Sequence, residues 1–133
     1  MVPEANVEVV RRVYEALNRR DVTAALEEID PSFESSDRGD APEPKFTQGH
    51  DGFERRWGEI LDLFDEFRIE SKAFSDTGDH VVVSVHRVGR GRVIGALIGE
   101  GELHAFRLRG GKMIELREYR EKAEALEAVG LAE

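Results

Sequence analysis

The segment ELHAFRLRGGKMIELREYRE, residues 102–121, contains the side chains best suited to proton transfer, His104 and Glu118. An imidazole and a carboxyl group can exchange protons with a bound molecule when both face one enclosed, poorly hydrated space. If the two side chains point apart, they are ordinary surface polar groups. The pairing of the two strands that carry them therefore decides which chemistry is available.

A Gly-Gly turn joins these strands and allows two registers. A two-residue loop would place Phe106 opposite Glu115, so that apolar residues face charges. A three-residue loop, residues 109–111, places Phe106 opposite Ile114, so that apolar residues face one another. Because a one-residue slip moves a whole hydrophobic set to the other face, we predict the three-residue loop.

In this register one mostly apolar face carries His104, Phe106, Leu108, Ile114, Leu116 and Glu118. Glu118 then lies opposite Glu102 and diagonal to His104, at a typical separation of about 7 to 8 Å. Two carboxyl groups in such a place do not both ionise readily, so one should hold its proton near neutral pH and share it with the imidazole. The alternative is that residues 99–101 bulge, Glu102 lies in solvent, and His104 is a satisfied polar residue at the end of the core.

The composition limits the classes of partner. The 133 residues suit one domain, residues 1–133, and the 28 acidic residues outnumber 19 scattered basic ones, for a net charge of −9. We therefore expect no nucleic-acid partner. No apolar run approaches the length of a membrane span, which predicts no membrane partner and a soluble, cytoplasmic protein.

No cofactor or metal is expected from the motifs. The segment GRGRVIG lacks the glycine spacing and the strand-to-helix context of a phosphate-binding loop. Cysteine is absent, and no histidine pair has helical spacing together with an acid, so we predict no metal site.

Helical patterns come first along the chain and strand patterns later. Apolar spacing predicts a helix over residues 6–21, a shorter helix capped by Asp21 and ending near Asp30, and a third helix from Asp51. Residues 37–49 read as a long loop, either a lid over a ligand site or a surface insertion. A short strand at 32–36 is followed by four longer strand candidates, at 66–74, 80–89, 92–109 and 112–120, and then by a C-terminal helix.

This order predicts an α+β fold in which a curved antiparallel sheet wraps around the N-terminal helices and encloses a cavity. The apolar faces of the helices supply further candidates for its lining. These are Val13, Tyr14 and Leu17 on the first helix and Trp57 and Phe64 on the third, although core packing is the ordinary role of such residues.

Three segments carry a resemblance that runs nearly end to end: NVEVVRRVYEALNRRDVTAALEEIDPSFE, GHDGFERRW and HAFRLRGGKMIELREYREKAEALEAVGL. They resemble the SnoaL-like family of the nuclear transport factor 2-like superfamily, which also contains ketosteroid isomerases and limonene epoxide hydrolases. The resemblance implies a cone-shaped α+β barrel with a deep apolar pocket, and a homodimer formed through the outer face of the sheet.

The resemblance also suggests roles for single residues. The aspartate and histidine of polyketide cyclases similar to SnoaL fall on Glu118 and His104. The catalytic tyrosine of ketosteroid isomerases aligns with Val13 and not with Tyr14, and their catalytic aspartate falls at Ser35. The chain therefore departs from the isomerase pattern at both positions.

Together these observations predict a protein that binds a small hydrophobic or polyketide-like molecule in an apolar pocket. His104 and Glu118 would be its catalytic pair, and Val13, Tyr14, Leu17, Ser35, Trp57, Phe64, Glu102, Phe106 and Leu116 would line the pocket. If the protein is an enzyme, cyclase or isomerase chemistry by general acid-base catalysis is expected. The alternatives are a noncatalytic small-molecule-binding module and a protein-interaction module that uses the outer sheet face.

Overall fold

The computed structural model of the chain describes residues 3–36, 46–76, 78–91 and 97–119, together with Ala125 and Glu127. The three helices are α1 (Pro3–Asn18), α2 (Val22–Leu26) and α3 (Gly49–Leu63). The strands are β1 (Ile29–Ser36), β2 (Phe46–Gln48), β3 (Phe64–Asp76), β4 (His80–Gly91), β5 (Leu97–Arg109) and β6 (Lys112–Tyr119). The predicted α+β class, with helices before a curved sheet, is confirmed.

The described strands form one six-stranded sheet in the order β2-β1-β6-β5-β4-β3. Its pairs are antiparallel except for β1 and β6, which run parallel, so the expectation of a purely antiparallel sheet is corrected to a mixed one. The predicted loop 37–49 was also too long, because residues 46–48 form the edge strand β2. The predicted C-terminal helix lies largely outside the described residues, as do the first five residues of the strand candidate at 92–109.

The turn between β5 and β6 has two residues, so the predicted three-residue loop is wrong. Arg109 pairs with Lys112, and the φ angles of Gly110 and Gly111 are 60° and 80°. Two successive positive φ values are typical of a type I′ turn, whose twist matches that of the flanking strands. Local turn geometry therefore decided the loop length.

A bulge in β6 then brings apolar residues face to face. Leu108 pairs with Met113 whereas Arg107 pairs with Glu115, so Ile114 is the extra residue. Beyond the bulge the register differs from both of the registers considered for a regular hairpin.

As a result of the bulge, Phe106 lies opposite Leu116, and His104 lies directly opposite Glu118 instead of diagonal to it. Cross-strand neighbours of this kind have Cβ atoms about 5 Å apart, so the two side chains project side by side from one face of the sheet. This is the face that the helices cover.

Helix α1 covers the inner face of the sheet with a row of buried residues that includes Val10, Val13 and Leu17. Its end is fixed to β3, because the Asn18 side chain both donates to the Ile69 carbonyl at 2.8 Å and accepts from the Ile69 amide at 2.9 Å. Helix α3 packs on the sheet through Trp57. Within the described part of the chain, no helix has the length and apolar character that crossing a membrane requires.

Candidate functional site

A cavity of about 90 Å³ lies between the inner face of the sheet and the helices α1 and α3. Most of its lining surface is apolar, and polar side chains reach it both from β4, β5 and β6 and from β1, β2 and the two helices. The predicted site residues that line it are Val13, Tyr14, Leu17, Ser35, Trp57, Glu102, His104, Phe106, Leu116 and Glu118. The structure therefore brings these residues to one place.

Phe64 is absent from the described lining. Helix α3 ends just before it, and its ring packs against Phe67 with centroids 5.3 Å apart. The chain changes from helix to strand geometry at this residue, so the side chain points in another direction than it would in a continued helix. The apolar helical spacing, which assumes that the helix continues, does not predict this change.

His104 lies at the polar end of the cavity and is held on both sides. Its Nδ1 is 2.7 Å from the Tyr14 hydroxyl oxygen, and its Nε2 is 2.9 Å from Glu102 Oε1. The imidazole is buried, with 5 % of the residue exposed. Its ring lies almost parallel to that of Tyr14 and meets the edge of Phe106. The orientation of His104 is therefore fixed by hydrogen bonds and by packing.

The two carboxyl groups of the cluster differ in their surroundings. The Glu102 side chain is 1 % exposed, and its Oε1 also lies 3.0 Å from Arg87 Nε. The Glu118 side chain is 20 % exposed, and its Oε2 is 3.7 Å from His104 Nε2. Glu102 is thus an internal partner of His104 and Arg87, whereas Glu118 is the more exposed of the two carboxyl groups.

Burial raises the pKa of the Tyr14 hydroxyl well above 10.0, and the negative charges of Glu102 and Glu118 raise it further. Both causes act in the same direction because a tyrosinate in this place would be desolvated and repelled by two carboxylates. Tyr14 is therefore a neutral hydroxyl at physiological pH, able to take part in hydrogen bonds but not to act as a base.

Two participants in this cluster were not anticipated from the sequence. Tyr14 was expected only to line the pocket, yet its hydroxyl bonds His104; the signal was available, because a buried tyrosine usually finds a partner for its hydroxyl. Arg87 was not considered at all. The alternation of buried Val81, Val83 and Val85 along β4 places Arg87 on the same face, which strand periodicity could have shown.

The other histidines lie away from the cluster. His50 Nε2 is 2.6 Å from the Ile29 carbonyl oxygen, where it ties α3 to β1. His80 Nδ1 is 3.0 Å from Asp79 Oδ1 at the start of β4. His86 alternates with Arg87 along β4 and so belongs to the outer face. None of these three is among the described lining residues.

A second polar group lies on the β1 side of the cavity. Ser35 pairs with Leu116 of β6 and with Thr47 of β2, and the hydroxyl groups of Ser35 and Thr47 are hydrogen-bonded. Both residues line the cavity. A ligand in the cavity would therefore meet hydroxyl groups on one side and the cluster around His104 on the other.

The ligand atoms of Glu102, His104 and Glu118 lie within 4.8 Å of one another, close enough to surround a metal ion. However, the Arg87 guanidinium is in contact with Glu102 and would lie beside the ion. Two like charges in a poorly hydrated site repel strongly. We therefore assign no metal to this cluster, and the absence of a metal stays a prediction.

Among known families, the model of the SnoaL-like domain matches residues 10–117. No curated protein sequence matches the chain.

Several solved structures share the fold. A putative SnoaL-like polyketide cyclase from Jannaschia sp. CCS1 is 18 % identical with a TM-score of 0.79, and the match covers 99 % of this chain and 96 % of that one. Bal32a, from a soil-derived mobile gene cassette, is 20 % identical with a TM-score of 0.80, with 95 % and 96 % covered. TerC, co-crystallised with polyporic acid, is 21 % identical with a TM-score of 0.77, with 92 % and 96 % covered. At these identities the likeness establishes the fold.

Proposed function

Because the chain belongs to the SnoaL-like domain family, we propose that it binds a compact hydrophobic molecule in the cavity and transfers a proton to or from it. The observation that carries the proposal is the buried cluster in which His104 lies between Tyr14 and Glu102, with Glu118 opposite. A small number of polar groups that face a mostly apolar cavity are typical of a ligand site. Glu118 is proposed to exchange the proton, and His104 to hold the Tyr14 hydroxyl and the Glu102 carboxyl group in place beside it.

The position of Glu118 supports this role. Its Oε2 lies 3.7 Å from His104 Nε2, and its side chain is 20 % exposed. A general acid or base must reach the substrate atom directly or through one water. Glu102, almost completely enclosed and in contact with Arg87, has less access.

The size of the cavity favours a compact ligand. Its volume of about 90 Å³ is below the roughly 300 Å³ at which pockets for drug-sized molecules begin. A single ring or a short chain suits this volume, and a molecule of several rings requires lining side chains such as Trp57 to move. TerC was co-crystallised with polyporic acid, and another similar structure is that of a putative polyketide cyclase, so we take a cyclic, oxygen-rich ligand as the first class to test.

The proposal is tested by proton exchange on small enolisable ketones, beginning with single-ring 1,3-diketones. Ligands are first selected by the rise in melting temperature that they cause, because binding to the folded state stabilises it. Deuterium incorporation at the carbon between the carbonyl groups is then followed by NMR in D₂O. The wild type should exchange a selected ketone faster than buffer does, and Glu118→Gln should lose about 100-fold or more of that rate while still binding.

Arg107→Gln is the control for this experiment, because Arg107 is exposed on the outer face of β5. It should leave both binding and exchange unchanged. If Glu118→Gln exchanges the ketone as fast as the wild type, Glu118 is not the group that moves the proton.

A noncatalytic binding module is the second candidate, and one observation favours it. Both ring nitrogens of His104 are engaged by protein groups, so the imidazole is better placed to orient other groups than to react. Selected ketones that stabilise the protein without any exchange above the buffer rate would support this module. The homodimer and the interaction surface on the outer sheet face stay predictions. The mass of the protein in solution would test the homodimer.

A further inference from the structure

We propose that His104 carries a single ring proton, that Glu102 is the positioning residue that places this proton on Nε2, and that the Tyr14 hydroxyl hydrogen is thereby directed onto Nδ1. The inference deepens the proposed function and relies on it for its consequence at the ligand. The arrangement of protons itself belongs to the ligand-free protein and can be observed there.

The first step is the acceptor character of Glu102. Its Oε1 is 2.9 Å from His104 Nε2 and 3.0 Å from Arg87 Nε. The adjacent guanidinium favours the ionised carboxylate, and an ionised carboxylate only accepts hydrogen bonds. His104 Nε2 must then be the donor. Glu118 Oε2, at 3.7 Å from the same nitrogen, is too far for a hydrogen bond.

The second step follows from the chemistry of imidazole. A neutral ring carries one proton, so a proton on Nε2 leaves Nδ1 as an acceptor. The Tyr14 hydroxyl oxygen is 2.7 Å from Nδ1, and the raised pKa of this hydroxyl keeps its hydrogen in place. Tyr14 therefore donates to His104.

The consequence concerns the atoms that a ligand meets. A hydroxyl has one hydrogen. While Tyr14 donates that hydrogen to His104, its oxygen can only accept a hydrogen bond from a ligand in the cavity. The proton on His104 Nε2 is likewise donated to Glu102 and is therefore not available to the ligand. At this end of the cavity the carboxyl group of Glu118 is then the one that can exchange a proton, and a ligand hydroxyl or enol is the group that suits Tyr14.

The experiment uses the ligand-free protein labelled with ¹⁵N in histidine and NMR that correlates each ring N–H proton with its nitrogen. The sequence contains four histidines, and the His104 signals are assigned by their loss in His104→Gln. We expect a downfield proton on Nε2 of His104, because a hydrogen bond to a carboxylate is short and strong.

Three variants identify the acceptor. Glu102→Met, of similar volume, should remove the downfield signal, and Glu102→Gln should move it upfield because a neutral amide oxygen is a weaker acceptor. Glu118→Gln is the matched control and should leave the signal on Nε2. If Glu102→Met does not fold, Glu102→Gln still decides the outcome.

Two results would overturn the proposal: a His104 proton that resides on Nδ1 in the wild type, or a downfield signal that responds to Glu118→Gln and not to the Glu102 variants. Neither result depends on catalysis. Loss of deuterium exchange in Glu118→Gln tests the proposed function separately, so failure of one idea is distinguishable from failure of the other.

Discussion

Tyr14 illustrates how a single residue is set by its surroundings. Its side chain is enclosed by the imidazole of His104 and the ring of Phe106, and the carboxyl groups of Glu102 and Glu118 lie close enough to influence its charge. A neutral hydroxyl fits this place, whereas a tyrosinate would be both desolvated and repelled. Folding therefore favours the protonated form of Tyr14.

This preference predicts a dependence of stability on pH. The pKa of Tyr14 is raised by folding above the value of about 10 in the unfolded chain, so the folded state binds more protons above pH 10. The stabilisation is complete below pH 10 and is lost as the pH rises beyond it. Above pH 10 the free energy of unfolding should fall more steeply in the wild type than in Tyr14→Phe, by up to about 1.4 kcal/mol per pH unit.

Denaturant unfolding at a series of alkaline pH values measures this difference. Every other titrating side chain is present in both proteins, so the difference in slope reports on Tyr14. Equal slopes in the two proteins would show that the hydroxyl ionises as readily in the folded state as in the unfolded one.

At the scale of the element, the hairpin of β5 and β6 depends on its turn and its bulge together. The type I′ turn sets the pairing of Arg109 with Lys112, and the extra residue Ile114 then shifts the register by one. Without that shift His104 would lie opposite Arg117. The bulge is therefore what brings an imidazole and a carboxyl group side by side.

The turn carries a prediction of its own. Gly111 has a φ of 80°, and an alanine in this left-handed region is strained, so Gly111→Ala should lower the free energy of unfolding by about 1 kcal/mol. Chemical denaturation provides the measurement.

Gly58→Ala is the matched control for Gly111→Ala. Gly58 lies within helix α3, and a Cβ added there would meet no atom within 4 Å. Alanine is a better helix former than glycine, so this change should raise the free energy of unfolding by about 0.5 to 1 kcal/mol. A stabilised Gly111→Ala would contradict the strained turn.

At the scale of the whole molecule, the core packs directly against residues that line the cavity. Phe33 of β1 is 1 % exposed, and its ring meets the edge of Phe53, a cavity-lining residue of α3, with centroids 5.8 Å apart. Phe33 therefore supports one wall of the cavity from behind. Its contribution is to stability and to the position of α3.

Phe33→Ala should lower the free energy of unfolding by about 3 to 5 kcal/mol, because it removes a buried ring and leaves a void. Phe46→Ala is the control, since Phe46 is 61 % exposed on the edge strand and a surface change of this kind usually stays within about 0.5 kcal/mol. Thermal or denaturant unfolding measures both. Similar losses in the two variants would place Phe33 outside the core.

The sequence by itself determined the first helix with its inner face and the cap of the second helix. The helical spacing of Val10, Val13 and Leu17 predicted α1 and its buried side, and the Asp21 cap of α2 was confirmed by its hydrogen bond from the Ala24 amide. These features depend on contacts between residues close in the chain. The resemblance to the SnoaL-like family was confirmed by the match over residues 10–117.

Only the tertiary structure decided how these elements meet. The parallel pairing of β1 with β6 joins residues far apart in the chain. The contact of Arg87 with Glu102 joins two strands, and the bulge at Ile114 shifts the register within a hairpin. Periodicity reports which side of an element is apolar, but it does not report which element lies opposite or where a strand gains an extra residue. The hydrogen-bond partners of His104 were set by that long-range packing, since Tyr14 comes from a helix 90 residues earlier in the chain.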